Sequence, residues 1–380
     1  MTGTTESLPL VPPPAGSVPA GGGGLPEARR QPKVVLTAAG RRAAGALAAA
    51  VALCLALQIG CAPLWAREIT DMAGRTVTVP DDIRRIYVAY DPPAIFLSAL
   101  APDLMIGFPF PLTPEAGRFL PPAVAGLPTI GGASRTTPER LLGLGIDVAI
   151  AWNIRGPPDQ FAAQVTAMGI PTLMVDASPF RRYPEAFRFL GRLVHREARA
   201  ERLARALEDT MARLDATVGA IPPQQRLRVY YADAADGLKS QCAGAFRGEV
   251  VELAGGFNVM QCNTPDVMSA AVAVGLETLL RLDPDVIVAR TPEIARFIDQ
   301  DPGWRHLRAV RERRLYAFPS LPFNWAERPH SQFKMLALQW LANVLYPDFF
   351  RFDFDRGVQD FYRLFYDMEL TDDQLVRLRN

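Results

Sequence analysis

Residues 138–152 read PERLLGLGIDVAIAW, which combines the start of a helix with a buried strand. Thr137 is suited to cap that helix, Pro138 suits its first position, and the apolar run after Asp147 is typical of a buried strand. Residues 276–289 read LETLLRLDPDVIVA and repeat this order, with a Glu-x-Leu-Leu helix before an Asp-led strand. The repeat indicates two comparable α/β units in one chain.

The chain after residue 66 alternates short apolar strands with helices, which is typical of parallel α/β layering. A hairpin is predicted at 68–80, and further strands at 86–90, 103–108, 147–152, 171–175, 228–232, 285–289 and 315–318. A helical pattern covers 183–218 and ends before Pro222. We predict an α/β fold of two Rossmann-like lobes joined by a single long helix, with an N-terminal lobe at 67–182, the helix at 183–220 and a C-terminal lobe with C-terminal helices at 221–380.

The first 66 residues differ in composition from the rest. They begin with a Pro- and Gly-rich tail that has little to bury, so disorder is expected there. Arg41 and Arg42 then precede an apolar run at 43–62, and the small residue Ala66 follows. A secretory signal consists of a basic flank, an apolar run and a small residue at the cleavage site, so we expect export to the periplasm.

Three fates of this leader stay open. Cleavage after Ala66 would release a chain that begins at Arg67. Residues 58–61 read QIGC and resemble a lipoprotein box, which would place a lipid on Cys61. The apolar run is also about long enough to stay in the membrane as an anchor. The long tail before the signal also fits a start codon downstream of Met1.

Charge and hydropathy exclude two broad classes of protein. The chain holds 41 Lys+Arg against 40 Asp+Glu, so it lacks the strongly basic character of a dedicated nucleic-acid binder. Its mean hydropathy of +0.06 is too low for a polytopic membrane protein. Basic residues outnumber acidic ones in the leader, so the exported part is slightly acidic.

Removal of the leader leaves two cysteines, Cys242 and Cys262. In an exported chain they are a candidate disulfide that closes a loop of about 20 residues and stabilises the fold by roughly 3 kcal/mol. Two free buried thiols are the alternative. A zinc site is disfavoured because the sequence offers no CxxC or HxxH partner nearby.

Four stretches resemble, in the same order, the helix-linked class of bacterial substrate-binding proteins of ABC importers, which bind iron-siderophores, haem, cobalamin and related metal chelates. They are ITDMAGRTVTVP at 69–80, the segment 139–152, ELAGGFNV at 252–259 and the segment 277–288. Together they span nearly all of the chain after the leader. The later run WAERP at 325–329 is similar to a subgroup that binds iron complexes.

The resemblance implies two lobes that face each other across a ligand cleft. It implies a substrate-binding component that captures a metal chelate, first of all an iron complex or siderophore, and delivers it to an ABC permease and its ATPase. We expect a monomer without catalytic activity, cofactor, metal site of its own or nucleic-acid partner. Cobalamin or another corrinoid and a molybdate-like oxyanion stay open as ligands. Two other classes also stay open, an exported sensor or scaffold and a hydrolase, although no catalytic motif supports the latter.

Ligand residues are expected on loops that follow strands and face the cleft. In the N-terminal lobe these are Tyr90, Asp91, Trp152, Asn153 and Arg155. By resemblance to the cobalamin-binding relative, Trp152 would lie against the ligand with a flat apolar face and an N–H donor. Core packing of the aromatic residues and helix capping by Asp91 are the alternatives.

The C-terminal lobe offers a second set of candidates, namely Asp236, Phe246, Arg247, Trp325, Arg328 and His330. Trp325 and Arg328 could hold an anionic chelate by stacking and a charge-assisted hydrogen bond. A packed Trp and a surface pair between Arg328 and Glu327 are the alternative. A lone histidine such as His330 is more often structural than a metal ligand.

Glu139 and Glu277 occupy matching places in the repeat. The resemblance implies that one exposed Glu on each lobe docks onto arginines of the permease. Both also lie in the first turn of a helix, where the helix dipole favours a carboxylate. The two roles are compatible.

Overall fold

A β-hairpin opens the part of the chain that this computed structural model describes, which comprises residues 66–153, 160–176, 178–262 and 270–379. Strands β1 (Ala66–Thr70) and β2 (Thr76–Pro80) pair antiparallel. The Asp71 carboxylate accepts the backbone N–H of Ala73 at 3.0 Å and of Arg75 at 2.9 Å. Gly74 adopts a φ of 79°, which a glycine tolerates at no steric cost. The predicted hairpin is confirmed.

A three-stranded parallel sheet forms the centre of the N-terminal lobe. Its order is β3 (Ile86–Val88), β4 (Val148–Trp152), β5 (Thr172–Val175). Every residue of these strands except Trp152 is buried, as expected where helices cover both faces of a parallel sheet. The central strand β4 therefore carries Trp152 to the edge of the core at its carboxyl end.

Five helices accompany this sheet: α1 (Asp91–Leu100), α2 (Pro114–Gly117), α3 (Pro122–Ala125), α4 (Pro138–Leu142) and α5 (Gln160–Ala167). The strand predicted at 103–108 is wrong. Its place is taken by a 3-10 turn at Pro102–Leu104 and by two isolated bridges, from Met105 to Ile86 and from Phe108 to Thr129. Parts of this apolar run are buried, but the chain turns too soon after Pro102 for a ladder of strand hydrogen bonds to form.

The segment predicted as one continuous helix is two helices, α6 (Tyr183–Leu193) and α7 (Glu197–Ala216). Between them His195 adopts a φ of 54°, which reverses the chain. The helices pack so closely that a Cβ on Gly191 would lie 2.4 Å from the Cβ of Ala200. Apolar residues keep their helical spacing on both sides of the break, so periodicity alone did not reveal it. The single helix that leads from one lobe to the other is α7.

The C-terminal lobe repeats the parallel design. Strands β6 (Arg228–Ala232), β8 (Phe257–Asn258), β10 (Val286–Ala289) and β11 (Leu315–Ala317) form a sheet in the order β11-β10-β6-β8, and β7 (Lys239–Gln241) pairs antiparallel with β9 (Ala271–Ala273). The helices are α8 (Glu249–Leu253), α9 (Leu276–Leu282), α10 (Pro292–Gln300), α11 (Arg308–Arg311), α12 (Lys334–Leu345), α13 (Phe354–Tyr366) and α14 (Asp372–Arg379). Gly255 ends α8 with a φ of 87°, a left-handed conformation that glycine adopts readily.

The two lobes share one apolar core. Phe187 of α6 lies 5.0 Å from Phe96 of α1 and 5.9 Å from Phe365 of α13, measured between ring centroids. The Gln332 amide Nε2 donates to the Ile95 carbonyl at 3.2 Å and to the Tyr366 hydroxyl at 2.9 Å. Separate lobes would not bury these groups, so the core holds the lobes in register. Within the described ranges, no helix combines the length and hydropathy that crossing a membrane requires.

Candidate functional site

A cavity of about 940 Å³ opens between the lobes. The N-terminal lobe contributes the residues that follow β3 and β4 and those that lead into α4. The C-terminal lobe contributes residues of the segment between β11 and α12. The lining residues are Ala89, Tyr90, Asp91, Pro92, Pro109, Gly132, Ala133, Ser134, Arg135, Thr136, Thr137, Trp152, Gln160, Phe161, Gln164, Arg247, Glu327, Arg328, Pro329 and His330. Ligands of open α/β sheets bind at this edge, outside the carboxyl ends of the strands.

Three rings form a cluster at the cavity, which we call the aromatic floor: Trp152, Phe246 and His330. The ring centroids of Phe246 and His330 are 4.6 Å apart, and Trp152 lies 6.0 Å from His330 and 6.4 Å from Phe246. The indole Nε1 of Trp152 and both ring nitrogens of His330 are buried without a hydrogen-bond partner among the described residues. Buried polar groups are normally paired, so the aromatic floor holds donor and acceptor groups that the described residues leave unsatisfied.

Burial sets the protonation state of His330. Desolvation lowers the pKa of its imidazole well below the ordinary value, and the positive charges of Lys334, Arg247 and Arg328 lower it further. The ring is therefore neutral at pH 7. A neutral imidazole keeps one nitrogen lone pair, which can accept a hydrogen bond or bind a metal.

This lowered pKa predicts a pH-dependent stability. In the unfolded chain His330 takes up a proton as the pH falls below about 6.5, whereas the buried ring of the folded protein does not. We expect the His330 contribution to reduce the free energy of unfolding by up to about 1.4 kcal/mol per pH unit below pH 6.5. Urea unfolding at pH 7.5 and 5.0 should show a smaller pH effect in His330→Gln than in the wild type. An equal effect in both proteins would contradict a buried neutral His330.

A cationic wall stands beside the aromatic floor and consists of Arg247 and Arg328, whose side chains are 37% and 39% exposed. Arg328 Nη2 donates to Asp233 Oδ2 at 2.8 Å, and its Nε lies 3.1 Å from Glu327 Oε1. Arg247 Nε lies 3.7 Å from Glu327 Oε2. Two buried carboxylates thus aim both guanidinium groups while part of each remains accessible, which suits an anionic ligand.

The carboxylates behind this wall are embedded in the C-terminal lobe. Asp233 follows β6 directly and also binds Arg290 Nε at 2.7 Å and Gln241 Nε2 at 2.6 Å. Burial raises the pKa of the Glu327 carboxyl, an effect that Arg328 opposes. The Tyr231 hydroxyl donates to Glu327 Oε1 at 3.2 Å. Asp233 is not among the residues that line the cavity, and it orients the guanidinium group of Arg328, which is.

The opposite side of the cavity belongs to the N-terminal lobe. Asp91 begins α1 and faces the cavity, where desolvation raises the pKa of its carboxyl and the charge of Arg135 lowers it. Tyr90 and Phe161 add aromatic surface, and Gln164 adds an amide. This side thus combines apolar and polar groups of both charges.

The structure brings most of the predicted ligand residues together. Tyr90, Asp91, Trp152, Arg247, Arg328 and His330 line the cavity, and Phe246 completes the aromatic floor. Asn153 is not among the lining residues; its backbone N–H donates to the Val175 carbonyl at 2.8 Å. Arg155 lies outside the described residues.

Two predicted ligand residues are placed elsewhere. Trp325 is fully buried, donates from Nε1 to the Leu321 carbonyl at 2.8 Å and stacks on Phe354 with centroids 5.7 Å apart. Asp236 shapes a turn, because its Oδ1 accepts the N–H of Leu238 at 2.9 Å. The sequence alone does not show whether such a Trp packs in the core or contacts a ligand, nor whether such an Asp shapes a turn or contacts a ligand.

The sequence reasoning missed Arg135, Phe161 and the positioning residue Asp233. A signal existed for Asp233, since it is the first polar residue after the buried strand β6, at the edge where sites form. Glu327 does pair with Arg328, but it is 1% exposed, so this is not the surface pair that the alternative interpretation described. Among the described residues, no group of three or more His, Cys, Asp or Glu is arranged to hold a metal ion.

A disulfide lies behind the site. Cys242 and Cys262 are joined, and the N–H of Ala243 donates to the Met260 carbonyl at 2.8 Å. Cys242 follows β7, and Phe246 and Arg247 come four and five residues later. The cross-link therefore anchors the segment that supplies one ring of the aromatic floor and one cation of the wall.

Comparison with known families identifies the architecture. The model of the periplasmic binding protein family matches residues 128–321, about half of the chain. The chain is a periplasmic binding protein. Its place is accordingly the periplasm, and it binds a solute rather than catalysing a reaction. The two-lobed α/β architecture predicted from the repeat is confirmed.

Several relatives resemble this periplasmic binding protein over most of their length. An ABC transporter solute binding protein from Sulfurospirillum deleyianum is 30% identical with a TM-score of 0.75, covering 82% of this chain and 98% of its own. The molybdate-binding protein MolA of Haemophilus influenzae is 24% identical, covering 85% of this chain and 97% of its own. Its structure with molybdate gives a TM-score of 0.67 at 22% identity, with coverage of 80% and 99%.

A more distant likeness involves the Fe3+-hydroxamate transport system of Saccharomonospora viridis. Its structure is 22% identical, with a TM-score of 0.51 and coverage of 73% and 98%. The periplasmic binding protein thus shares its fold with proteins named for molybdate and for ferric hydroxamate. The relatives serve ABC transporters, so this chain is the binding protein of such a system.

Proposed function

We propose that the protein captures an anionic metal chelate, in the first place an iron complex of the siderophore type, and delivers it to an ABC permease driven by its ATPase. The observation that carries the proposal is the aromatic floor. It presents a partnerless indole N–H and a neutral, partnerless imidazole beside two accessible guanidinium groups. Aromatic surface, an acceptor nitrogen and positive charge together suit a ligand that is partly apolar and carries anionic oxygen atoms.

The size of the cavity favours a chelate over a bare ion. Sites for drug-sized ligands have volumes of about 300–1,000 Å³, and this cavity of about 940 Å³ lies at the upper end of that range. A tetrahedral oxyanion would contact only one part of the wall. A drug-sized chelate would contact residues of both lobes, because both line the cavity.

Molybdate is the second candidate ligand. MolA, named for molybdate, is similar over 85% of this chain, and Arg247 with Arg328 could hold an oxyanion by charge-assisted hydrogen bonds. The expected site would then be the cationic wall alone. Cobalamin has less support, since no relative described above is named for it.

The experiment is native mass spectrometry of the protein isolated from the periplasm of its own host, followed by titration with defined probes. The probes are a ferric catecholate complex, a ferric hydroxamate complex, cyanocobalamin and sodium molybdate. We expect a ferric complex to bind most tightly and to shift its visible charge-transfer band. Exclusive binding of molybdate would replace the first candidate by the second. Failure of all four probes, with no bound small molecule in the native spectrum, would contradict the proposal.

A histidine pair sharpens the test. We expect His330→Gln to lower affinity for the ferric complex by on the order of tenfold, because one direct contact of the aromatic floor is lost. His306→Gln is the matched control, since His306 is exposed in a 3-10 turn away from the cavity lining. Equal affinities of wild type and His330→Gln would remove His330 from the binding site.

A further inference from the structure

A buried ion pair lies behind the aromatic floor. Lys334 begins α12 and is 0% exposed, and its Nζ lies 2.7 Å from Oε1 of Glu249, the first residue of α8. Neither residue is among those that line the cavity. Each nevertheless follows the site closely in the chain, since Glu249 comes two positions after Arg247 and Lys334 comes four after His330. The pair therefore joins the two segments with which the C-terminal lobe forms the site.

Lys334 also acts on the aromatic floor itself. Its Nζ donates to the backbone carbonyl of Phe246 at 3.5 Å, so the ammonium group bridges that carbonyl and the Glu249 carboxylate. Desolvation lowers the pKa of His330, and the positive charge of Lys334 lowers it further. Lys334 thus influences two of the three rings of the floor from the side away from the cavity.

Glu249 extends this connection to the N-terminal lobe. Its two carboxylate oxygens accept the backbone N–H of Phe180 at 3.0 and 3.3 Å. Phe180 opens the 3-10 turn that precedes α6, and its ring centroid lies 4.9 Å from that of Tyr183. Both aromatic residues are 0% exposed. A path of polar contacts therefore runs from the floor through Lys334 and Glu249 to the buried start of α6.

Stability alone does not account for two charges in this place. Moving an ammonium and a carboxylate out of water is costly, and their attraction offsets this cost only where the geometry is good. Replacement of a buried ion pair by apolar residues of similar volume is often neutral or stabilising. An apolar pair, however, would supply neither a donor to the Phe246 carbonyl nor an acceptor for the Phe180 N–H. The contacts of this pair are thus suited to fixing the geometry between the floor and the other lobe.

We propose that Lys334 and Glu249 are positioning residues for ligand binding, which hold the aromatic floor and Arg247 in register with the N-terminal lobe. The proposal rests on the proposed function, since it concerns the same site, and it adds two residues that stand behind the cavity lining. Rings and a guanidinium group that are fixed before the ligand arrives lose less conformational freedom on binding. Loss of the pair should therefore lower affinity although every lining residue is still present.

The test uses the full chain with the double substitution Lys334→Met and Glu249→Gln, which removes both charges from the core. The probes are a ferric catecholate complex, a ferric hydroxamate complex, cyanocobalamin and sodium molybdate, and affinity is measured by isothermal titration with the probe that binds the wild type most tightly. We expect binding to weaken by on the order of tenfold, mainly through faster dissociation, because preorganisation is lost while the cavity entrance is unchanged.

Hydrogen exchange distinguishes positioning from a general loss of stability. In the free double variant the amides of residues 243–249 should exchange faster than in the wild type, whereas those of α13 should not change. The matched control is Arg181→Met with Asp215→Asn. This ion pair of 2.7 Å involves the same 3-10 turn, but its side chains are 53% and 52% exposed. Its removal should leave affinity and exchange unchanged.

Glu249→Asp separates position from charge. Aspartate keeps the negative charge, but its side chain is one methylene shorter and no longer spans Lys334 and the Phe180 N–H. We expect this variant to stay folded and to bind the same probe about three- to tenfold more weakly. It keeps the charge balance of the core, so it tests the proposal even where the double variant unfolds.

The outcomes separate this inference from the proposed function. Wild-type affinity in a folded double variant or in Glu249→Asp would overturn the positioning role, and so would an equal loss of affinity in the control at Arg181 and Asp215. The proposed function stands in each of these cases, because the wild type still binds its probe. If the wild type binds none of the four probes, the proposed function fails and the positioning role fails with it.

Discussion

Replacement of Arg328 by alanine is expected to weaken ligand binding by on the order of 10- to 100-fold. A hydrogen bond to a charged group contributes about 1.5–3 kcal/mol, and each 1.4 kcal/mol is a factor of ten in affinity. Arg328 reaches the cavity while Asp233 and Glu327 hold it from behind, so its guanidinium is preorganised for an anion. Isothermal titration with the probe that binds the wild type measures the loss.

Two further variants show whether the loss of affinity comes from a lost contact with the ligand. Arg328→Lys keeps the charge but not the planar fork, so an intermediate affinity is expected. Arg296→Ala removes an exposed arginine on α10, which pairs with Glu293 at 2.9 Å, and should leave affinity unchanged. The folded state of each variant is checked by thermal unfolding, because Arg328→Ala removes one cationic partner from each of two buried carboxylates, Asp233 and Glu327. A folded Arg328→Ala protein with wild-type affinity would refute the cationic wall as a binding element.

The largest effect on stability is expected for Lys334→Met. Lys334 is 0% exposed, and its Nζ lies 2.7 Å from Glu249 Oε1. The same carboxylate accepts the N–H of Phe180 at 3.0 Å, so the pair ties α12 and α8 to the turn before α6. Removal of one partner leaves a charge in the core, and we expect the free energy of unfolding to fall by about 3–5 kcal/mol in urea.

The double variant Lys334→Met with Glu249→Gln should recover much of this loss. Glutamine keeps an acceptor for the Phe180 N–H, and no uncompensated charge remains buried. Lys239→Met is the control at an exposed lysine of β7 and should change stability by less than about 0.5 kcal/mol. A loss in Lys334→Met as small as that in the control would mean that the buried pair contributes little.

The sequence predicted the features that local patterns specify. The hairpin at β1 and β2, the buried strand β4 and the repeat of α4–β4 in α9–β10 all follow from residues within a few positions of one another. Turns, apolar runs and glycine stops act over that range, and the structure confirms these features. The predicted cap is not confirmed, because Thr137 stands at the N-cap of α4 but its side chain makes no capping hydrogen bond.

Local patterns did not predict features that depend on contacts between distant segments of the chain. The break at His195 is invisible to helical periodicity, because the apolar residues before and after it keep the same spacing. It becomes necessary only when α6 folds back on α7 and Gly191 meets Ala200. Trp325 likewise met a local expectation for a ligand residue, but its partner Phe354 lies on a helix much later in the chain.

The candidate site likewise has features that the sequence predicted and features that only the folded structure decided. Residue types and their position after strands identified Trp152, Arg247, Arg328 and His330 as candidates, since polar and aromatic residues at carboxyl strand ends are unusual in a core. Their chemistry, however, depends on contacts across the lobes. His330 is neutral because burial among the aromatic floor and three cations lowers its pKa, and Arg328 is aimed by Asp233, a residue nearly a hundred positions earlier in the chain.

Most of the secondary structure and the twofold repeat were thus readable from the sequence, because each is encoded by neighbouring residues. The composition of the cavity was set by folding, because it requires side chains from both lobes to converge at one place. Leu142 on α4 and Leu280 on α9, both exposed, show the same division. Their spacing was present in the Glu-x-Leu-Leu repeat, but which leucine of each pair faces solvent followed only from the packing of each helix on its sheet.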